Sequence, residues 1–179
     1  MALNSPAPVL GFAAFSGTGK TTLLRRLIPV LRNRGIRLGL IKHSHHAFEV
    51  DRPGKDSFVL RQAGAVQVLV ASSRLTAVID QQPQQQVTFE AFLRRFDGAG
   101  LDLILVEGFK YYPMPKIELH RPSMGHPLLS LRDPYVIAVA TDAPLATEPS
   151  VPVLDLNDLA EIAGFVERWL NVGNPRACA

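Results

Sequence analysis

The stretch from Leu10 to Thr22, LGFAAFSGTGKTT, places a glycine-rich turn between an apolar run and the start of a helical pattern. Glycines allow the backbone to wrap closely around phosphate oxygens, so that successive N–H groups point at the anion. A helix that begins directly after the turn adds the positive end of its dipole to the same place. The stretch therefore predicts a phosphate-binding loop, and with it a fold in which strands alternate with helices.

The phosphate chemistry of this loop depends on four residues, Gly17, Gly19, Lys20 and Thr21. Lys20 is placed to reach the β- and γ-phosphates of a nucleotide and is a candidate catalytic residue, while the Thr21 hydroxyl is placed to ligate Mg²⁺. The full pattern has a glycine at the position of Ala14. This departure is mild, because the position requires a small side chain and takes no part in the chemistry. The alternative is a glycine-rich turn that binds nothing, but the flanking strand and helix favour a nucleotide site.

The composition is that of an ordinary globular protein. The 179 residues are 47% hydrophobic and 20% charged, which is enough to bury a sizeable core. The net charge of +3 is scattered along the sequence, so it argues only weakly for a nucleic-acid partner. One cysteine, no signal-peptide pattern and no long apolar run predict a cytoplasmic protein. We predict a flexible lead over 1–8, a single nucleotide-binding domain over 9–170 and a tail over 171–179.

Short apolar runs alternate with helical patterns along the chain. The predicted strands lie at 9–15, 38–42, 65–71, 75–80, 101–106, 116–120, 135–140 and 151–154, and the predicted helices at 20–34, 56–63, 87–96 and 157–170. This alternation predicts an α/β, P-loop NTPase-like fold, with a mostly parallel sheet and helices on both faces. The strands at 65–71 and 75–80 are close enough to form a hairpin, and 116–120 alternates like a half-exposed strand.

Two carboxylates follow predicted strands, where the ligands of a parallel sheet bind. Glu107 ends the apolar run LDLILV, so we predict that it holds Mg²⁺ or a metal-bound water; the alternative is an exposed acid at a strand end. Asp142 follows YVIAVAT. A carboxylate there can accept hydrogen bonds from N1 and the exocyclic amine of guanine, and adenine cannot supply this pair of donors. The usual Asn-Lys-x-Asp signature is absent, so base reading and a plain turn acid both remain open.

A polar segment over residues 42–57 is too rich in charge to be a simple connector. It begins at Lys42 with the sequence KHSHH, so His43, His45 and His46 could ligate a metal; a loop that senses phosphates, and a solvated loop, are the alternatives. Arg52, in the same segment, is the second candidate catalytic residue. No other arginine or glutamine stands in an obvious water-positioning role, which predicts slow hydrolysis.

Five segments together resemble one known family. The segments SGTGKTTLL, LIKHSHH, DRPGKDS, LDLILVEGFK and VIAVATD, in this order between about residue 9 and residue 170, resemble the MobB family of molybdopterin-guanine dinucleotide biosynthesis adapter proteins. The resemblance implies a protein that binds GTP and Mg²⁺, has weak GTPase activity and is usually a homodimer. It also implies a partner, the guanylyltransferase that attaches GMP to molybdopterin.

The same resemblance implies a set of site residues. The phosphate-binding positions are Gly17, Thr18, Gly19, Lys20, Thr21 and Thr22. Glu107 corresponds to the acidic position at a strand end, and Thr141-Asp142 corresponds to the base-side loop. Two other classes of protein would use the same loop. A small-molecule kinase would turn over nucleotide in the presence of an acceptor, whereas a binding module would bind nucleotide without turnover.

Overall fold

The computed structural model describes residues 4–44, 50–80 and 88–173. The chain forms two compact units. The main unit combines Met1–His43 with Phe89–Ala179, and the insert is Ser44–Thr88. The expectation of one domain over 9–170 stays a prediction, because two compact units can still fold cooperatively.

The described residues form eight strands and four α-helices. The strands are β1 (Val9–Ala13), β2 (Leu38–Lys42), β3 (Gln67–Ala71), β4 (Thr76–Asp80), β5 (Leu103–Glu107), β6 (Lys116–His120), β7 (Val136–Thr141) and β8 (Val153–Asp155). The helices are α1 (Lys20–Asn33), α2 (Asp56–Gln62), α3 (Phe89–Leu93) and α4 (Leu159–Gly173), and short 3₁₀ turns lie at Arg94–Phe96 and Pro122–Met124. None of the helices in the described ranges is long and apolar enough to span a membrane.

The main unit is built on a six-stranded sheet in the order β2-β5-β1-β6-β7-β8, and every neighbouring pair is parallel. The predicted fold class is therefore confirmed. The strand that carries the glycine-rich turn, β1, lies between β5 and β6. Because all six strands run in the same direction, their carboxyl ends form a single edge at which loops from different parts of the chain meet.

β5 separates two apolar layers. Leu103 and Leu105 belong to the cluster that contains buried residues of α1 and α4, while Ile104 and Val106 belong to the cluster that contains α3. Successive side chains of a strand face opposite sides, so all four are buried. Each fully buried side chain of this size contributes about 1.5–3 kcal/mol relative to an exposed one, which stabilises the position of the acid that ends β5.

The prediction that 116–120 is half-exposed is wrong, because all five residues of β6 are buried. Its polar side chains have partners inside the protein. Lys116 donates to the Asp133 carboxylate at 2.8 Å and to two backbone carbonyl oxygens of the segment before β6, at 2.7 and 3.0 Å. Glu118 accepts two backbone N–H bonds, each 2.8 Å long, from the segment after β6. The alternation therefore reflects one apolar face and one buried polar face.

The insert contains α2 and an antiparallel pair, β3 and β4, so the predicted hairpin is confirmed. Ser72 closes its turn: the Ser72 backbone N–H donates to the carbonyl oxygen of Leu75 at 2.8 Å. Asp51 forms an ion pair with Arg61 of α2 at 2.7 Å, and both side chains are largely shielded from water. The pair ties the start of the described insert to its helix.

Candidate nucleotide-binding site

Four adjacent strands of the main sheet end in residues that suit a nucleotide. Glu107 ends β5, the glycine-rich loop (the P-loop, residues 14–21) follows β1, Arg121 follows β6, and Asp142 follows β7. Because these strands are parallel neighbours, the residues lie in the order acid, phosphate loop, guanidinium and carboxylate along one edge. This order would suit a nucleotide with its metal and phosphates towards β5 and its base towards β7.

The backbone of the P-loop has the conformation that an anion site requires. Gly17 and Gly19 have φ values of 80° and 99°, in the left-handed region that side chains with a Cβ rarely adopt. Gly19 precedes α1, and no side chain caps the first N–H groups of this helix, so those groups can donate to a phosphate. Thr18 is buried, and its hydroxyl donates to the carbonyl oxygen of Phe15 at 2.9 Å. Ala14 is also buried, in the core beneath the loop.

Lys20 folds back over the P-loop. Its ammonium group donates to the carbonyl oxygens of Ala14 and Phe15, at 3.1 and 3.2 Å. The pKa of Lys20 is lowered, chiefly by burial and further by the nearby Lys110 ammonium, while the Glu107 carboxylate opposes this shift. A partly desolvated cation beside the anion site is what a phosphate group would stabilise.

The two predicted metal ligands are in contact. The Thr21 hydroxyl donates to Oε1 of Glu107 at 2.7 Å, and the Lys42 ammonium lies 3.7 Å from Oε2 of the same carboxylate. Hydroxyl and carboxylate oxygens are hard ligands that suit Mg²⁺, which takes most of its other ligands from phosphates and water. The described residues contain no cluster of three or more His, Cys, Asp or Glu side chains for a metal, whereas this oxygen pair fits a nucleotide-bound Mg²⁺.

The turn after β5 depends on Gly108. Its φ is 107°, and a Cβ at this position would lie 2.9 Å from Cβ of His43. The His43 backbone N–H donates to the Glu107 carbonyl oxygen at 2.9 Å, so β2 and β5 remain paired up to the site. The first histidine of KHSHH thus helps to position the predicted metal ligand, through its backbone.

A second lysine, Lys110, lies at the P-loop, although the sequence motifs did not identify it as a nucleotide-site residue. Its ammonium group lies 3.9 Å above the ring of Phe15, and the same ring stacks on His126 with centroids 4.3 Å apart. The preceding residue, Phe109, has a positive φ of 49°, which is uncommon for an aromatic residue. The signal in the sequence was position: Lys110 follows a predicted strand at the same edge as Glu107.

Arg121 is the other residue at the site that the sequence motifs did not identify. Its Nε donates to the carbonyl oxygen of Thr18 at 3.0 Å, and its guanidinium forms an ion pair with the Asp142 carboxylate. Arg121 comes directly after β6, and a cation at the end of a strand beside β1 was the available signal. The predicted base-side acid is therefore connected to the P-loop through one side chain.

The remaining predicted residues have different positions. Thr22 is exposed in the first turn of α1. Arg52 is exposed in the insert, and its catalytic role stays a prediction. His45 and His46 lie outside the described residues.

A family model described as "Molybdopterin guanine dinucleotide synthesis protein B" (MobB) matches residues 9–142 of this chain. The chain belongs to this family. The match begins with β1 and ends at Asp142, so it contains the P-loop, Glu107 and Arg121. The resemblance seen in the sequence motifs is thereby confirmed.

Curated MobB relatives match almost the whole chain. The molybdopterin-guanine dinucleotide biosynthesis adapter protein of Escherichia coli (strain K12) is 49% identical over 176 residues, which cover 97% of this chain and 99% of the relative. The protein of the same name from Haemophilus influenzae is 46% identical over 169 residues, which cover 94% of this chain and 93% of the relative. These matches extend beyond residue 142 into the strand β8 and the helix α4.

Solved MobB structures share the fold. The crystal structure of Bacillus subtilis MobB superposes with a TM-score of 0.72 at 22% identity, covering 90% of this chain and 96% of that one. The structure of a MobB homologue from Bacillus stearothermophilus gives a TM-score of 0.66 at 24% identity, covering 92% and 98%. This chain therefore shares its fold with these solved structures.

Proposed function

We propose that this chain is a GTP-binding adapter protein of molybdopterin-guanine dinucleotide biosynthesis, with weak GTPase activity. The observation that carries the proposal is the contact between Thr21 and Glu107 beside an uncapped P-loop helix. An acid held against the P-loop hydroxyl suits a nucleotide that arrives with Mg²⁺. The adapter role is that of the curated relatives.

In this proposal each residue along the sheet edge has one task. The P-loop N–H groups and Lys20 bind the β- and γ-phosphates, while Thr21 and Glu107 hold Mg²⁺, which would neutralise charge on those phosphates. Asp142 accepts hydrogen bonds from the guanine base. Arg52 remains the residue proposed to position the attacking water. GTP hydrolysis is expected to be slow because the sequence motifs contain no other arginine or glutamine in that role.

Glu107→Gln is expected to remove most of the effect of Mg²⁺ on GTP binding. The amide keeps the size of the side chain but not its negative charge, so the affinity gained on adding Mg²⁺ should fall by about tenfold or more, the scale of a charged hydrogen bond. Titration calorimetry with and without Mg²⁺ measures this ratio. Asp102→Asn is the matched control, because Asp102 pairs with Arg37 before β5, at the other end of that strand. An unchanged ratio in Glu107→Gln would contradict the metal role.

The proposed function is tested by calorimetry with GTP, ATP and a guanylated pterin, with and without Mg²⁺. We expect GTP with Mg²⁺ to bind at least about tenfold more tightly than ATP, because only guanine supplies both donors to Asp142. Hydrolysis should be slow and should not increase with a phosphate acceptor. Rapid turnover that depends on an acceptor would indicate a kinase instead, and equal binding of all nucleotides without hydrolysis would indicate a binding module.

We also propose a cytoplasmic homodimer that works with the guanylyltransferase that attaches GMP to molybdopterin. The insert supports the dimer, because its hairpin exposes large apolar side chains that a second copy could cover. Leu69 and Val78 form a cross-strand pair on one face and are 63% and 50% exposed.

The dimer is tested by sedimentation velocity. The chain of 19.6 kDa is expected to sediment with about twice its mass, because a second copy would cover the exposed apolar side chains of the hairpin. Leu69→Lys should shift the population to the monomer, while Thr76→Lys, at an exposed polar position of the same hairpin, should not. A monomer at all concentrations would exclude the proposed assembly.

A further inference from the structure

Arg121 connects two parts of the site that come from distant parts of the sequence. Its Nε donates to the carbonyl oxygen of Thr18 at 3.0 Å, and its Nη1 pairs with Oδ2 of Asp142. Its other terminal nitrogen lies 3.9 Å from the place that a Cβ on Gly19 would occupy. One planar guanidinium therefore contacts the P-loop and the carboxylate at the end of β7 together.

The contact leaves part of the carboxylate available. Within the described residues, the Asp142 side chain accepts one hydrogen bond, from Arg121, and it does so through Oδ2. The Asp142 side chain remains 24% exposed and that of Arg121 35% exposed. The pair is thus accessible from the edge of the sheet at which a base would lie, and Oδ1 can accept a further donor.

A second Arg–Asp pair shows what an ordinary surface pair looks like in this protein. Arg37 and Asp102 also form a hydrogen-bonded ion pair, at 2.9 Å, but their side chains are 65% and 41% exposed and they precede β2 and β5. That pair lies at the amino ends of its strands and does not contact the P-loop. The Arg121 pair differs because one partner is P-loop backbone and the other is the proposed base reader.

Reading a guanine requires a carboxylate whose place relative to the phosphates is set. Guanine presents two parallel N–H donors, and a carboxylate at the end of a strand can rotate about its side-chain bonds unless a neighbour holds it. Arg121 donates through one rigid planar group both to an Asp142 oxygen and to the Thr18 carbonyl oxygen, and this sets the distance between the two acceptors. The phosphates are held by the P-loop, so a link from the P-loop to the carboxylate sets the distance at which the base is read.

We propose that Arg121 is a positioning residue that determines base selectivity, by holding the Asp142 carboxylate at a set place relative to the P-loop. This inference rests on the proposed guanine-nucleotide function. Arg121 acts through Asp142 and Thr18 and does not itself read the base. Its removal should therefore affect discrimination between bases more than it affects binding of the phosphates.

The experiment separates these two quantities by calorimetry in the presence of Mg²⁺. Inorganic tripolyphosphate probes the P-loop without a base, and the ratio of the ATP to the GTP dissociation constant reports discrimination. We expect Arg121→Lys and Arg121→Leu to reduce that ratio by at least about tenfold, the scale of a lost charged hydrogen bond, and to change the tripolyphosphate dissociation constant by no more than about threefold. Asp142→Asn should reduce the ratio as strongly, and Arg37→Lys should leave both quantities as in the wild type.

Each other outcome has a definite meaning. If both Arg121 variants keep the wild-type ratio while Asp142→Asn loses it, the positioning role is wrong and the proposed function stands. If tripolyphosphate binding falls as much as discrimination, Arg121 supports the P-loop only, and the inference is overturned. A wild-type chain that binds GTP and ATP equally would overturn the proposed function, and the inference with it.

Discussion

Lys20→Ala is expected to weaken GTP binding by at least about 100-fold. A charged hydrogen bond contributes about 1.5–3 kcal/mol, and a lysine that faces two phosphates in a partly desolvated loop should contribute at the upper end of that range. The partial burial that lowers the pKa of Lys20 leaves its ammonium group partly desolvated, which favours its pairing with a phosphate. Titration calorimetry with GTP and Mg²⁺ measures the effect.

The control for Lys20→Ala is Arg26→Ala in the same helix. Arg26 is exposed in α1, so the variant removes one positive charge from this helix without changing the P-loop, and GTP affinity should change by less than about threefold. Circular dichroism establishes that both variants are folded. Retained GTP affinity in Lys20→Ala would exclude the proposed mechanism of phosphate binding.

Lys116→Met is expected to lower the free energy of unfolding by about 3 kcal/mol. Lys116 is 1% exposed and donates to Asp133 and to two backbone carbonyl oxygens. Removing one partner of a buried ion pair costs about 3–5 kcal/mol, and the lower value applies because Asp133 is 20% exposed. In a chain of this length, 3 kcal/mol corresponds to a decrease in Tm of about 6–12 °C.

The comparison for Lys116→Met is Arg37→Met, which breaks the exposed pair with Asp102. Exposed ion pairs contribute little because water and salt screen them, so its Tm should decrease by no more than about 4 °C. Differential scanning calorimetry or thermal circular dichroism measures both. Equal changes in the two variants would mean that the Lys116 contacts do not stabilise the fold.

Local patterns were sufficient for the elements that lie close together in sequence. The spacing of the glycines before α1 identified the P-loop. The backbone conformation of this loop and the start of the helix both depend on residues that are consecutive in the sequence. The apolar run before Glu107 identified β5, and the strand boundaries differ from the predicted ones by no more than two residues. The family resemblance rested on five motifs that follow one another in a fixed order along the chain. The family model and the curated relatives confirmed it.

Long-range partners could not be read from the same patterns. Lys116 and Glu118 alternate with apolar residues as on an exposed strand, and they are buried only because segments on either side of β6 supply carbonyl oxygens and N–H groups for them. Alternation indicates that two faces differ, but it does not indicate whether the polar face meets water or protein.

Motifs of adjacent residues were enough to predict the fold class, the position of the P-loop and the two carboxylates. The contacts between these residues, in contrast, are visible only in the folded chain. The contact of Thr21 with Glu107 spans 86 positions, and that of Arg121 with Thr18 spans 103. Such contacts follow from strand order, which places β5 and β6 on either side of β1. Strand order is set by how all the helices and strands pack together, and no single motif contains it.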